Sequence, residues 1–335
     1  MSYRSRLIFH LLAALAAATP AAATDGARPG SPAAAPPAAA APATPDAGAA
    51  EKIDPLRFGS KPADPAYGAF QRGLYKTALN LALPRAEAGE APAQTLVAEI
   101  LSRGLGVKRD ETAAAKWYQL AAEQGVPEAQ FQYALMLIDG RFVTKDPKAA
   151  FALMQASAEA GNPLAQFNYA QLLVKRDRGR PGIEAAFPYY QKAAEADLPD
   201  AQYAMSQILA NGTGGQKPDD VKAREWLVRA ARQNYDTAQL DLGSWLISGR
   251  GGERDLKSGF AWLKRAAEGG NVAAQNRVAK LYMQGIGTEP DSIFAAAWYI
   301  LARRAGLFDP VMDDFMNGLT PEELKTALGR ANRLR

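Results

Sequence analysis

Acid–base chemistry is the first question that the residue types raise. Five aspartates, Asp110, Asp146, Asp219, Asp255 and Asp291, recur along the chain at steps of 36 residues and, once, 73. A pair of carboxylates is the one acid–base device that the composition leaves open. The sole histidine is His10, and the 335 residues include no cysteine. Beyond residue 23 the chain therefore lacks the base of a Ser-His-Asp triad, the Cys-His pair and the imidazole or thiolate ligands of a zinc site. Paired glycines at Gly104 and Gly106, Gly212 and Gly214, Gly249 and Gly251, and Gly285 and Gly287 invite a phosphate-cradle reading. No strand pattern precedes them, and they recur where a turn is needed. The aspartates are too far apart to flank one bond, and each precedes a helical pattern, where a carboxylate caps the helix. The expectation is a non-enzymatic chain with no catalytic residue, no metal and no cofactor.

The capping aspartates belong to a longer pattern. A motif Ala-Glu-x-Gly-x-x-x-Ala-Gln recurs with its glutamine at Gln94, Gln130, Gln166, Gln202, Gln239 and Gln275, in steps of 36, 36, 36, 37 and 36. A helix opens just before each glutamine and carries a small residue four places on: Ala98, Ala134, Ala170, Ser206, Gly243 or Ala279. A glycine turn follows, its left-handed residue closing the helix. The capping Asp then opens a second helix bearing a large residue, in the column Trp117, Leu153, Tyr189, Trp226, Trp262 and Trp298. That helix ends at Gly125, Gly161 or Gly270, with Asp197 and Asn234 in the same place elsewhere. Two helices per 36 residues form an αα-hairpin array, in which each unit buries its apolar face against its neighbours. The fold class expected is all-α, an α-α superhelical solenoid of antiparallel helix hairpins.

The ends differ in composition. Residues 1–23 read as a cleavable signal peptide, with Arg4 and Arg6 ahead of an apolar run from Leu7 to Ala18 and Ala21-Ala22-Ala23 as the cleavage site. That run of 12 residues is short of the ~20 needed to span a bilayer. Export to the periplasm or beyond follows, with no stable membrane insertion after cleavage and no cysteine for lipid attachment. Residues 24–63 read as a disordered Ala/Pro-rich linker. Residues 64–306 read as the solenoid, beginning with a helix pair over Ala66 to Leu79. Residues 307–335 read as capping helices, since Thr320-Pro-Glu-Glu opens a helix that can set Leu319, Leu324 and Leu328 on one face. Without Arg4 and Arg6, 37 basic residues face 35 acidic ones. Such a balance gives no case for nucleic acid.

The pattern Ala-x-x-x-Leu-Gly…Gly-x-Gly…Asp…Ala-x-x-Trp…Ala-Ala…Gly resembles the Sel1-like repeat, a relative of the tetratricopeptide repeat. The resemblance covers Ala66 to Gly306 and is best in the units from Ala91, Thr237 and Ala273. It departs at Lys175-Arg-Asp-Arg-Gly-Arg-Pro181, which replaces the Gly-x-Gly turn. By this resemblance, the first helix of each pair lines a concave groove. The residues placed there are Thr95, Phe131, Phe167, Tyr203, Leu240 and Asn276, with Glu99, Leu135, Gln171, Gln207, Ser244 and Lys280 one turn on. Phe131, Phe167 and Tyr203 beside Gln171 and Gln207 then make an aromatic ladder with an amide rim for a peptide or protein partner. The alternative is that the rings pack between successive first helices. Lys175, Arg176, Arg178 and Arg180 form the densest basic cluster, either a solvated loop or a contact for an acidic partner. Resemblance to exported Sel1-like proteins implies adaptor or regulatory work in the cell envelope. One role in that class is a periplasmic regulator of a sensor kinase controlling exopolysaccharide production. The alternative function is a glycan- or cell-wall-binding assembly module.

Overall fold

The computed structural model describes residues 64–334; the signal segment at 1–23 and the linker at 24–63 lie outside the described residues. The described residues form helices and connecting turns. A short hairpin of α1 (Pro65–Gln71) and α2 (Tyr75–Glu87) opens the array. Six longer hairpins follow: α3 (Ala91–Arg103) with α4 (Glu111–Glu123), α5 (Pro127–Asp139) with α6 (Pro147–Glu159), and α7 (Pro163–Arg176) with α8 (Arg180–Glu195). The others are α9 (Pro199–Asn211) with α10 (Asp220–Arg232), α11 (Asp236–Ser248) with α12 (Leu256–Glu268), and α13 (Val272–Gln284) with α14 (Ser292–Arg304). The chain closes with α15 (Pro310–Asn317) and α16 (Pro321–Ala331). Through α13, each helix packs chiefly against its neighbours in the chain, the defining property of a solenoid.

Local signals set the helix ends. The carboxylates of Asp110, Asp146, Asp219, Asp255 and Asp291 each accept from backbone N–H groups of the helix that follows, which would otherwise lack partners. The marker glutamines do the complementary task at the other end. Each side-chain amide donates to a carbonyl eight residues back, in the last turn of the preceding second helix. The acceptors are Ala86, Ala122, Ala158, Ala194, Ala231 and Ala267, at 3.0–3.4 Å. The side chains of Gln94 and Gln202 also accept from Gln124 and Gln233, at 2.8 and 2.9 Å. Each repeat is thus tied by a polar side chain as well as by apolar packing.

Alanines make the helix contacts close. Ala98, Ala134, Ala170 and Ala279 on first helices are fully buried, as are Ala114, Ala150, Ala186, Ala223 and Ala295 on second helices. The second glycine of the Gly-x-Gly turn has a packing role as well as a backbone one. A Cβ on Gly287 would collide with the Leu256 carbonyl oxygen at the start of α12. The turn therefore rests directly on the preceding repeat.

Where Lys175–Pro181 replaces the usual turn, α7 runs on to Arg176, and only Asp177, Arg178 and Gly179 separate it from α8. Gly182 stands where other repeats have the capping Asp, and a Cβ there would collide with the Asp177 carbonyl. The usual long turn is therefore replaced by an extended second helix.

At the C-terminal end, α14 packs against α16 far more extensively than against α15. Trp298 is fully buried there, whereas Trp117, Trp226 and Trp262 in the same column are half-buried. Thr320 and Glu323 form a capping box at the start of α16. The buried positions of α16 are Ala327 and Ala331, and Leu328 is exposed. The expected leucine face is corrected accordingly: small residues let α16 approach the bulky side chains of α14, and Leu328 turns outward.

Candidate binding face

The residue after each marker glutamine, and the residue a turn further on, lie on the first helices α3, α5, α7, α9, α11 and α13. Of the predicted aromatic column, Phe131 and Phe167 are core residues with exposures of 6% and 1%. The ring of Phe167 packs edge-on against Tyr190 of α8, with centroids 5.7 Å apart. Both rings are buried, and the ring partner of Phe167 lies on the second helix of its own hairpin rather than on a neighbouring first helix. Tyr203, at the same register in α9, is half-buried and reaches across to the next repeat. Its hydroxyl donates to the Asp241 carboxylate of α11 at 2.9 Å, and its ring lies 5.2 Å from that of Tyr235.

Gln207, one turn along α9, also donates to Asp241, at 3.4 Å. Tyr203 and Gln207 are therefore brought together, with Asp241 as their common acceptor. Burial pushes the Asp241 carboxyl above its ordinary value, opposed by the Tyr203 hydrogen bond and by the charges of Arg277 and Arg250. Asp200, at the start of α9, is raised by burial with only its own backbone N–H to offset it. Burial also pushes up the Tyr203 and Tyr235 hydroxyls, reinforced by the neighbouring carboxylates. Gln171 and Leu240 are half-buried on α7 and α11, as are Thr95, Leu135 and Ser244 at equivalent positions. Glu99 accepts from Arg103 and from the Tyr118 hydroxyl. Asn276 and Lys280 of α13 both contact Asp309, at 2.7 and 2.5 Å.

Sequence reasoning missed Asp241 and Asp309. Asp241 falls two places after Gln239, where the other repeats carry Leu96, Gln132, Asn168, Ala204 and Arg277. That column varies in residue type from repeat to repeat, so nothing in the spacing singles Asp241 out.

The basic cluster is partly neutralised in place. Arg176 pairs with Asp177 at 2.8 Å and lies 4.9 Å over the Phe151 ring, and Arg180 pairs with Glu184 at 2.7 Å. The Asp177 hydrogen bond holds the Arg176 guanidinium above its ordinary value. Lys175 and Arg178 are exposed and make no ion pair among the described residues.

A pocket of about 460 Å³ opens between α11 and α13. Ile247, Leu263, Leu281 and Ile286 supply its apolar wall, and Arg277 and Lys280 its cations.

Comparison with known proteins places this architecture. The Sel1 repeat model matches residues 91–126, 127–162, 163–198, 199–235, 237–271 and 272–307. A Sel1 repeat protein of Oxalobacter formigenes is similar in structure, with a TM-score of 0.62 and 25% identity, over 74% of this chain and 100% of that one. A protective antigen of uropathogenic Escherichia coli displaying an SLR fold has a TM-score of 0.54 and 26% identity, over 77% of this chain and 63% of that one. Chitin synthase regulatory factor 3 of Schizosaccharomyces pombe is 36% identical over 83 residues, 24% of this chain and 9% of that protein. The Sel1 solenoid is typical of protein–protein interaction, and its members are generally non-catalytic scaffolds. Six consecutive matching units, each seen as an αα-hairpin, establish that the chain belongs to the Sel1 repeat family.

Proposed function

We propose that this chain is an exported, non-enzymatic scaffold that holds a segment of a partner protein along its first-helix face. The observation that carries the reading is the strip formed by Tyr203, Gln207 and Asp241. Here half-buried polar and aromatic groups of successive repeats converge, although the fold itself asks only for small contact residues and marker glutamines. Such a strip supplies rigid aromatic area beside adaptable amides, a composition common in interfaces. The capping aspartates engage backbone N–H groups in separate hairpins, which supports a role without turnover. Export rests on the sequence of residues 1–23, and a cell-envelope partner follows from it. Work as an adaptor or regulator there, including in exopolysaccharide production, is the finer form of this proposal. The regulatory word in the name of the yeast relative belongs to that protein, of which the match covers 9%.

A glycan-binding role would need aromatic faces open to sugar. Burial of Phe131 and Phe167 weighs against it.

The test is capture from envelope extract by the immobilised protein and by a Gln171→Ala, Gln207→Ala double variant. A membrane protein retained by the native chain and lost with the variant supports the scaffold. Equal retention by both sinks the first-helix face, and retention on purified cell wall alone favours the glycan module.

A further inference from the structure

The fifth long hairpin differs from the others at its helix contact. Where the other hairpins carry Ala or Ser facing Ala, α11 and α12 carry Gly243 and Gly259. A Cβ on Gly243 would meet Leu263 Cγ at 2.6 Å, and one on Gly259 would meet Ile247 Cγ1 at 2.6 Å. Leu263 and Ile247 are two of the side chains that wall the pocket between α11 and α13. The glycine pair therefore makes room for the side chains that set the depth of this pocket. Its remaining apolar wall comes from Leu281 and Ile286, its charged groups are Arg277 and Lys280, and no carboxylate lines it. Lys280 is engaged by Asp309, whereas Arg277 is exposed and makes no ion pair among the described residues.

We infer that this pocket is a specificity subsite for an acidic peptide segment. An aliphatic side chain of the segment enters between α11 and α13, and a neighbouring carboxylate meets Arg277, with Lys280 beside it. An apolar wall beside Arg277, which makes no ion pair among the described residues, selects this combination over a cationic or wholly polar segment, while Lys280 is shared with Asp309. The inference rests on the proposal that a protein segment occupies the first-helix face.

Fluorescence anisotropy with three labelled peptides of equal length tests it: alternating Leu and Glu, alternating Leu and Lys, and alternating Ser and Glu. The Leu/Glu peptide is expected to bind the purified protein about tenfold more tightly than either other peptide, and Arg277→Ala to weaken it about tenfold. Ile247→Trp, which fills the pocket from its wall, removes the preference for Leu over Ser. Arg277 is exposed, so unchanged thermal unfolding verifies that its variant remains folded. Equal binding of the Leu/Lys peptide, no binding of the Leu/Glu peptide, or indifference to both substitutions overturns the subsite. If affinity falls with Gln171→Ala and Gln207→Ala but not with Arg277→Ala or Ile247→Trp, the subsite is overturned while the first-helix face stands. If it falls with neither set, both are overturned.

Discussion

The hydroxyl of Tyr203 donates to the carboxylate of Asp241 across 2.9 Å, linking the first helices of two successive repeats. The bond favours the charged carboxylate, which burial alone would disfavour. Tyr203→Phe should therefore destabilise the protein at neutral pH by about 1.5–3 kcal/mol, the range for a hydrogen bond to a charged group. That loss should shrink as pH falls through the raised pKa of Asp241, because the protonated acid has less need of a donor. Urea unfolding of both proteins from neutral to acid pH checks this, and a pH-independent difference would refute it.

Asp200 gives the opposite sign. Burial raises its carboxyl above the ordinary 3.8, so between that value and the folded pKa the folded state holds the proton more tightly than the unfolded chain. Stability falls as pH rises across that window. Asp200→Asn should thus be more stable than the native protein at neutral pH, with the gain vanishing below the ordinary aspartate value. Thermal unfolding on either side of the window measures it.

The marker glutamines should differ in weight. Gln202 is fully buried and donates to Ala194 at 3.2 Å while accepting from Gln233 at 2.9 Å. Gln130 is half-buried, with a 3.4 Å bond. Replacing Gln202 with Ala removes its bonds to Ala194, Asp197 and Gln233 from a buried position and should cost about 1–3 kcal/mol. Replacing Gln130 should cost less. Denaturant midpoints rank the two, and equal losses would count against the capping role.

Two glycines with similar backbone conformations separate strain from packing. Gly270 and Gly287 both have positive φ, at 91° and 73°. Nothing lies within 4 Å of a Cβ on Gly270, whereas one on Gly287 strikes the Leu256 carbonyl. Gly270→Ala should cost about 1–2 kcal/mol from the left-handed backbone alone. Gly287→Ala should cost more and weaken the contact between α12 and the turn, which hydrogen exchange at the start of α12 would register.

Export predicts a defined product. Cleavage after Ala23 leaves a chain beginning at Thr24, and an intact mass on protein from the periplasm or medium tests it. A full-length mass in the cytoplasmic fraction would remove the envelope from the proposal.

The period, the two helices per unit, the capping aspartates and the left-handed positions at Asp197 and Asn234 were all legible in the chain. These features arise from interactions over a few residues: an Asp with the N–H groups two or three places on, or a left-handed residue closing the turn behind it. The repeat then multiplies these local signals, giving six marker glutamines and five capping aspartates. Even so, the reason for glutamine in the marker was hidden, because its acceptor is a carbonyl of the previous helix.

Which side chains on the first helices are buried and which stay partly open was decided only by the tertiary structure. Phe167 and Tyr203 share one register, yet Phe167 sinks against Tyr190 while Tyr203 reaches Asp241, 38 residues away. Periodicity assigns both to the same face, but exposure depends on the size and polarity of whatever the adjacent repeat presents. The repeat spacing sets Gly243 opposite Gly259, but that Leu263 and Ile247 fill the room they leave and wall a pocket beside Arg277 is a matter of packing. The sequence by itself determined an array of hairpins and where each begins and ends. Packing between repeats determined which of its side chains are buried and which remain exposed, because burial depends on what the adjacent helix presents.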